Sequence, residues 1–159
     1  MDDVLTILEG DARKSVESIA RLTGRSEADV RAAIADYEER GIIKQYATVI
    51  DWDRAGRDRV LAFIDIKVAP AREVGFDDVA ERIYRYEEVH SVWLVSGDYD
   101  LRVLVEGKNV QDVGMLVAQK LSTIDRVQAT STHFLLKRYK ENGVVFVAEN
   151  EDPRLSVAP

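Results

Sequence analysis

The chain has 159 residues, of which 46% are hydrophobic and 32% are charged. This length corresponds to one ordinary domain or two small ones, and the composition supports a folded core rather than a disordered chain. The sequence contains no cysteine, which excludes disulfides, thiol catalysis and thiolate metal sites. No apolar run approaches the roughly 20 residues of a membrane span, and the acidic N-terminus lacks the layout of a signal peptide. We therefore expect a soluble, cytoplasmic protein with no membrane partner.

The charge balance argues against a generally basic, nucleic-acid-coating surface. Lys and Arg number 22 against 29 Asp and Glu, which gives a net charge of −7. Proteins that bind nucleic acid usually present a basic surface, because neutralising phosphates releases counterions. An acidic total still permits DNA binding if the basic residues gather on one face of a dimer.

The first 50 residues predict three helices followed by a strand. Val4 to Leu8 have helical spacing, and a second helix covers residues 16–22. Ser26 is placed to cap a third helix that ends before Gly41, a residue suited to a helix C-terminus. Residues 42–50 predict a strand or a short β-hairpin. This order is typical of a winged helix-turn-helix domain.

The spacing of three small or apolar residues supports the same interpretation. Ala20 allows two helices to cross closely, Gly24 opens the turn between them, and Val30 fills the core. Such a unit places its second helix in a DNA major groove. A generic three-helix domain is the alternative, because short Ala-to-Gly spacings also arise by chance.

The remainder predicts an α+β domain in which the elements follow the order β-α-β-β-α-β. This order is typical of a ferredoxin-like fold, with two helices on one face of an antiparallel sheet. Residues 144–147 form a further apolar segment that could pair with a partner's sheet edge, and the last ten residues have no pattern. The predicted strands are 60–68, 89–96, 99–106 and 127–138, and the predicted helices are 76–83 and 110–121. The predicted divisions are residues 1–50, a connector at 51–58, the βαββαβ domain at 59–140, and a C-terminal strand and tail at 141–159.

The segment between the second and third strands is the strongest candidate ligand site. Gly97 and Asp98 form a favoured two-residue hairpin turn, so Gly97 could be present only for its positive φ. The alternative is a ligand-binding site, because carboxylates can bind an ammonium group and turn N–H groups can bind a carboxylate. A zwitterionic amino acid needs both. The segment consists of Ser96, Gly97, Asp98, Tyr99 and Asp100.

Polar residues in the last strand form a second candidate. Thr130 and Thr132 share one face of that strand, while Ser131 and His133 share the other. Polar residues facing both ways in a central strand could line a pocket or a subunit contact. Satisfied polar groups within a sheet are the plainer explanation.

The predicted DNA-reading half is itself acidic. Residues 1–50 contain ten acids and seven bases. Glu27 and Asp29 suit the N-terminus of the third helix but repel phosphates, and Glu27 is spaced to pair with Arg31. The basic residues placed to contact phosphates are Arg13, Lys14, Arg21 and Arg25.

No catalytic or cofactor site is predicted. His90 and His133 are the only histidines and lie far apart in the sequence, with no metal-ligand cluster around them. The chain has neither a P-loop nor a dinucleotide-binding motif, and no Ser or Thr has an obvious base partner. We therefore expect no enzyme, no cofactor and no metal.

The order of these parts resembles the Lrp/AsnC family of feast/famine transcriptional regulators over residues 3–140. The most specific stretches are EERGIIK at 38–44, VSGDYD at 95–100 and VQATST at 127–132. The resemblance implies a regulator that binds double-stranded DNA and senses a small molecule, usually an amino acid. It also implies homodimers that assemble further, commonly into octamers, with the effector bound between dimers.

Carried over by position, the resemblance assigns two sets of site residues. The effector site would contain residues 96–100, with Thr130 and Thr132 lining it, and Ser26, Arg25 and Arg31 would lie at the recognition helix and its turn. Glu27 and Asp29 depart from what DNA binding favours. Two alternatives remain: an amino-acid-sensing assembly protein that no longer binds DNA, and an enzyme like the sirohaem decarboxylases, which resemble the same two-part architecture.

Overall fold

Three helices form the first of two units in the computed structural model, which describes residues 3–71 and 75–146. The helices are α1 (Asp3–Gly10), α2 (Val16–Thr23) and α3 (Glu27–Glu39). Their shared core consists of Val4, Leu8, Ile19, Ala20 and Val30. The two units are Met1–Ile50 and Asp51–Pro159.

Local capping accounts for the boundaries of α2 and α3, as the sequence predicts. Gly24 ends α2 with φ +70°, a left-handed conformation that a side chain would disfavour. The Ser26 hydroxyl then accepts a hydrogen bond of 3.1 Å from the Asp29 N–H, which satisfies a free donor at the start of α3. Gly41 also has a positive φ and follows the end of α3. The helix-turn-helix prediction is confirmed.

The strand predicted over residues 42–50 does not form within the described chain. The backbone N–H groups of Ile42 and Ile43 both bond to the Tyr37 carbonyl, which extends the end of α3 instead. Residues 44–50 then pair with no other described strand. A strand is stabilised by its neighbour, so apolar alternation without a partner does not produce one.

The second unit is a four-stranded antiparallel sheet with two helices, as predicted for a ferredoxin-like fold. Strand order is β2-β3-β1-β4, so β1 and β3 are central and β2 and β4 are the edges. The prediction that Thr130 lies in a central strand is therefore wrong. The strands are β1 (Val60–Val68), β2 (Val89–Leu94), β3 (Leu101–Gly107) and β4 (Val127–Phe134), and the helices are α4 (Asp77–Tyr84) and α5 (Val110–Leu116), which continues into a π-helical turn at Val117–Leu121.

The two faces of the sheet differ in composition. Even-numbered residues of β1, such as Ile64 and Ile66, are fully buried against α4 and α5. The opposite face, here called the open face, carries Asp65, Arg102 and Glu106, and neither α4 nor α5 covers it. Trp93, which is paired with Arg102 in the ladder, is 45% exposed.

The end of β4 also differs from the prediction. The strand stops at Phe134, which pairs with Ala62, rather than at residue 138, and one further hydrogen bond joins the Leu135 N–H to the Leu61 carbonyl at 2.9 Å. A short hairpin follows, β5 (Lys140–Glu141) with β6 (Val144–Val145). Val144 and Val145 thus pair within their own chain, while Val147 and the patternless last ten residues lie outside the described residues.

No helix in the described part of the chain is long and apolar enough to cross a membrane.

Candidate functional site

The reversal between β2 and β3 is wider than the two-residue turn that the sequence predicts. The last ladder pair is Leu94 with Leu101, and the Val95 N–H then bonds to the Asp100 carbonyl at 2.9 Å. Residues 96–99 bridge the gap. Gly97 has φ +139°, a conformation that favours glycine, so its predicted positive φ is confirmed.

Asp100 is largely committed to its own sheet. Its Oδ2 accepts a hydrogen bond of 2.9 Å from the Val68 N–H, and its Oδ1 lies 3.3 Å from Lys67 Nζ. The Val68 N–H needs this acceptor because the β1–β4 register shifts between Lys67 and Val68. Asp100 therefore fastens the turn to the end of β1, with little capacity left for a ligand.

The remaining turn residues are accessible. Ser96, Gly97 and Asp98 are exposed, and Tyr99 is half-buried. Asp98 thus presents a carboxylate at the tip of the turn, as a site for an ammonium group requires. Lys67, whose side chain is 41% exposed, adds a cation at the base of the same turn.

Lys67 is a residue that the sequence analysis missed. Strand alternation places it on the polar side of β1, but only the pairing of β1 with β3 brings it to the turn. Together, Asp98 and Lys67 supply the opposite charges that an amino acid's two ionic groups would need.

The two threonines reach this end of the sheet to different extents. Thr130 pairs with Ile66, whose carbonyl accepts a hydrogen bond from the Asp100 N–H. Thr130 is thus one strand away from the base of the turn. Thr132 pairs with Ile64, further toward the middle of the sheet. Both side chains lie on the helix-covered face, because they share a side with those isoleucines.

An arginine clamp braces the same end of the sheet and was not predicted. Arg126, with φ +76°, donates to the Ala69 carbonyl from Nε at 3.0 Å and to the Asp78 carboxylate from Nη1. The hydrogen bond from Arg126 holds the pKa of Asp78 below its usual range. This clamp joins the end of β1, the start of α4 and the start of β4.

The open face carries a second unpredicted charge cluster. The Arg102 guanidinium donates two hydrogen bonds of 2.7 and 2.8 Å to Asp65, which is 5% exposed. These bonds lower the pKa of Asp65 despite its burial. His133 Nε2 lies 3.4 Å from the same carboxylate and 3.2 Å from the Ser131 hydroxyl. Cross-strand pairing, not sequence proximity, assembles this cluster.

The histidines do not form one site. His90 lies on β2, where its Nε2 is 3.4 Å from Glu106, and His133 lies on β4 at the opposite edge. Among residues 3–71 and 75–146, no three His, Asp or Glu side chains are grouped to hold a metal ion.

The residues predicted to contact DNA differ in whether an ion pair within the helical unit already engages them. Arg31 pairs with Glu27 at 3.1 Å, as the spacing predicts, and Lys14 pairs with Asp11 at 3.2 Å. Arg13 donates its backbone N–H to Asp11, and this bond is the main cause that lowers the pKa of that carboxyl. Arg21 and Arg25 are exposed, on α2 and in the turn before α3, while Ser26 acts as the cap of α3.

Part of the exposed surface of α3 consists of small side chains around a single cation, Arg31. Ala28, Ala32 and Ala35 are exposed at helical spacing around Arg31. Small side chains permit close approach to a groove, and alanine can contact the thymine methyl group. The helix as a whole contains five acids and one base, so any contact with phosphates must come mainly from other residues.

The chain is similar to known transcriptional regulators over nearly its whole length. A family model described as the Lrp/AsnC ligand binding domain matches residues 61–145. The uncharacterised HTH-type transcriptional regulator YugG of Bacillus subtilis is 46% identical and covers 99% of this chain and 95% of its own. The HTH-type transcriptional regulator FL11 of Pyrococcus horikoshii is 30% identical over 87% of this chain and 88% of its own.

Solved structures share the same architecture. E. coli AsnC superposes with a TM-score of 0.68 at 22% identity and covers 87% of this chain and 91% of its own. A feast or famine regulatory protein from M. tuberculosis complexed with L-methionine has a TM-score of 0.70 at 25% identity and covers 87% and 90%. With the helix-turn-helix and the ferredoxin-like sheet, these matches show that the chain belongs to the Lrp/AsnC family of transcriptional regulators.

Proposed function

We propose that this regulator binds double-stranded DNA through its helical unit and an amino acid at the 96–100 turn. The single observation that carries the ligand assignment is the turn itself, where the exposed Asp98 lies on the same reversal that Lys67 and Asp100 anchor. A related M. tuberculosis protein complexed with L-methionine supports this class of effector.

We assign the residues distinct roles. Asp98 binds the ammonium group, and the free backbone N–H groups of Ser96 and Gly97 with Lys67 bind the carboxylate. Tyr99 packs beside the ligand, whereas the Thr130 side chain lies on the helix-covered face, opposite Lys67, and acts indirectly by positioning the adjacent end of β4. Asp100 and Thr132 act indirectly, Asp100 by holding the turn and Thr132 by packing within the sheet.

The DNA contacts divide in the same way. Arg13, Lys14, Arg21 and Arg25 contact phosphates, while Arg31 and the alanines around it face base edges. Ser26 aligns α3 by capping it. Because Glu27 partly neutralises Arg31, we expect DNA binding to be weak in single units and to depend on pairing two reading helices in a homodimer.

We place the dimer contact on the open face of the sheet. Trp93, which pairs with Arg102 on that face, is 45% exposed and would leave its indole in water in a monomer. Further assembly, up to an octamer, would bring turns of neighbouring dimers together. Light scattering on the purified chain measures the assembly directly.

The mechanism is thermodynamic linkage. An amino acid that prefers one assembly changes how the paired helices span neighbouring DNA sites, and it can shift that equilibrium only by its difference in affinity. The regulator acts in the cytoplasm, where its DNA lies. We assign it a regulatory rather than an enzymatic role, which is supported by the names of its relatives as transcriptional regulators.

The first experiment is a thermal-shift screen of the twenty amino acids on the full chain. A ligand that binds the folded form raises the unfolding temperature. We expect one or a few amino acids to do so, and Asp98→Ala to abolish the rise without unfolding the protein. Asp58→Ala, which removes another exposed carboxylate, is the matched control and should respond normally. An unchanged rise in Asp98→Ala would remove the proposed site.

The second experiment tests DNA binding at low salt on the protein's own promoter. Wild type should retard the DNA, and Arg21→Gln should weaken binding and reduce the slope of log affinity against log salt by about one. Absence of retardation at low salt, with or without amino acids, would favour the alternative of an assembly protein that only senses amino acids.

A further inference from the structure

A small basic cavity lies where the chain enters β1 and leaves β4. It has a volume of about 230 Å³, with Asp53 and Arg59 on one side and Lys137 and Arg138 on the other. Three of these four charged residues are cations, although the chain carries a net charge of −7. The cavity is built from different residues than the 96–100 turn.

The two arginines are buried and incompletely satisfied. Their side chains are only 10% and 9% exposed. Arg59 donates one hydrogen bond of 2.7 Å to Glu106, and Arg138 donates one of 2.7 Å to Glu141. In both residues Nε is buried and has no hydrogen-bond partner among the described residues.

Aromatic rings hold both guanidinium groups in place. Arg59 lies 5.7 Å from the centroid of the Trp52 ring, and Arg138 lies 4.6 Å from that of Phe146. A guanidinium has five N–H donors in a fixed plane, so each arginine retains most of its donors after its one carboxylate bond. Buried donors without acceptors are costly, so an acceptor-rich anion close to the two guanidinium groups would be favoured.

We propose that this cavity binds a phosphate-sized oxyanion between Arg59, Arg138 and Lys137. Glu106 and Glu141 each pair with one arginine, but each guanidinium keeps further N–H donors that suit phosphate oxygens in bidentate geometry, and Lys137 adds a third cation. The cavity is smaller than a typical drug-sized pocket of about 300–1,000 Å³, which matches one phosphoryl group rather than a large metabolite. Asp53 opposes the anion and limits its affinity.

Inorganic phosphate on the full chain is the direct probe. Thermal unfolding is followed at pH 8 with increasing sodium phosphate, against sodium chloride at the same ionic strength. The unfolding temperature should rise with phosphate and saturate, because binding to the folded form stabilises it. Equal effects of both salts would overturn the proposal.

Variants expected to change phosphate affinity in opposite directions distinguish phosphate binding from general screening of charges by salt. Lys137→Gln should weaken phosphate binding roughly tenfold, as loss of one charge-assisted bond predicts. Asp53→Asn should strengthen it, by about two- to threefold, since it removes a repelling charge. Arg54→Gln removes an exposed charge next to Asp53 but outside the cavity, and should leave the affinity unchanged.

Arg138→Gln should abolish binding, while Lys137→Gln keeps the test valid if that buried variant fails to fold. Loss of binding in Arg54→Gln equal to that in Lys137→Gln, or wild-type binding in Lys137→Gln, would overturn the site. Glycerol 1-phosphate distinguishes the sources. If it binds as well as phosphate, the site takes the phosphoryl group of a metabolite; if only phosphate binds, it takes the free ion; if neither binds, the proposal fails.

Discussion

The helical unit and the sheet unit are stabilised on different scales. Among the described residues, five buried apolar side chains form the core of the first unit, against thirteen in the second. The small core leaves the helical unit dependent on caps and turns within the chain's first 41 residues, whereas long-range strand pairing stabilises the sheet unit. The DNA-reading unit therefore has the smaller free energy of unfolding and should be the first to unfold when packing is lost.

Matched core truncations should have the largest effect on the difference in stability between the two units. Ile19 in α2 and Ile64 in β1 are both fully buried. Truncation of either to alanine should cost about 2–5 kcal/mol of its unit's stability. Ile19→Ala should unfold the helical unit and abolish DNA binding while ligand binding at the turn persists. Circular dichroism measures the unfolding of the helical unit, and the ligand-induced thermal shift measures ligand binding at the turn. Loss of ligand binding in Ile19→Ala would show that the two units do not unfold independently.

The Asp65–Arg102 pair should make the sheet unit sensitive to acid. Because Arg102 lowers the pKa of Asp65 in the folded chain, the pair stabilises the protein above about pH 4 and loses that effect as pH falls through the folded pKa. Asp65→Asn should therefore lower the unfolding free energy at pH 7 by about 1–2 kcal/mol. The difference from wild type should shrink as pH drops below 4 in thermal unfolding; a constant difference would contradict the account.

Removal of the cap of α3 should affect only the helical unit. Ser26→Ala should cost about 1 kcal/mol, because the Asp29 N–H loses its acceptor. Ser26→Asp keeps a capping oxygen, so it should retain stability yet weaken DNA binding by adding a negative charge. Denaturant unfolding and DNA titration separate the two effects. Equal destabilisation by both substitutions would argue against the capping role.

Changes to the Glu27–Arg31 pair should have the smallest effect of these substitutions, and they test how the acidic charge of α3 influences DNA affinity. Glu27→Gln releases Arg31 and removes a repelling charge, so DNA affinity should rise about two- to fivefold at low salt. Arg31→Gln should lower it. Anisotropy titrations with labelled DNA measure both variants, and unchanged affinity in Glu27→Gln would show that α3 does not approach the phosphates.

The same difference between units explains what the sequence could predict. Helix boundaries in the first unit follow local rules, so Ser26, Gly24 and Gly41 are readable as caps. The βαββαβ order is also readable, because each element has its own periodicity. Residues 42–50 show where this fails: their alternation is that of a strand, yet a strand needs a partner that the sequence does not reveal.

Long-range pairing accounts for the rest of what was missed. Asp100 looks like a free carboxylate in the sequence, but the register shift at Lys67 and Val68 draws it to the Val68 N–H. Arg102 meets Asp65, and Arg59 and Arg138 line the same cavity, only because strands distant in sequence lie side by side. The sequence shows which groups could bind a ligand. It does not show which of those groups are already engaged in hydrogen bonds or ion pairs within the folded chain.

The most direct test of the central claim is the affinity of the protein for its promoter DNA with and without the amino acid found in the thermal screen. We expect the amino acid to change this affinity, and DNA to change the affinity for the amino acid by the same factor. Asp98→Ala should abolish the change while leaving DNA affinity without ligand intact. A wild-type affinity that is the same with and without a bound amino acid would contradict this expectation.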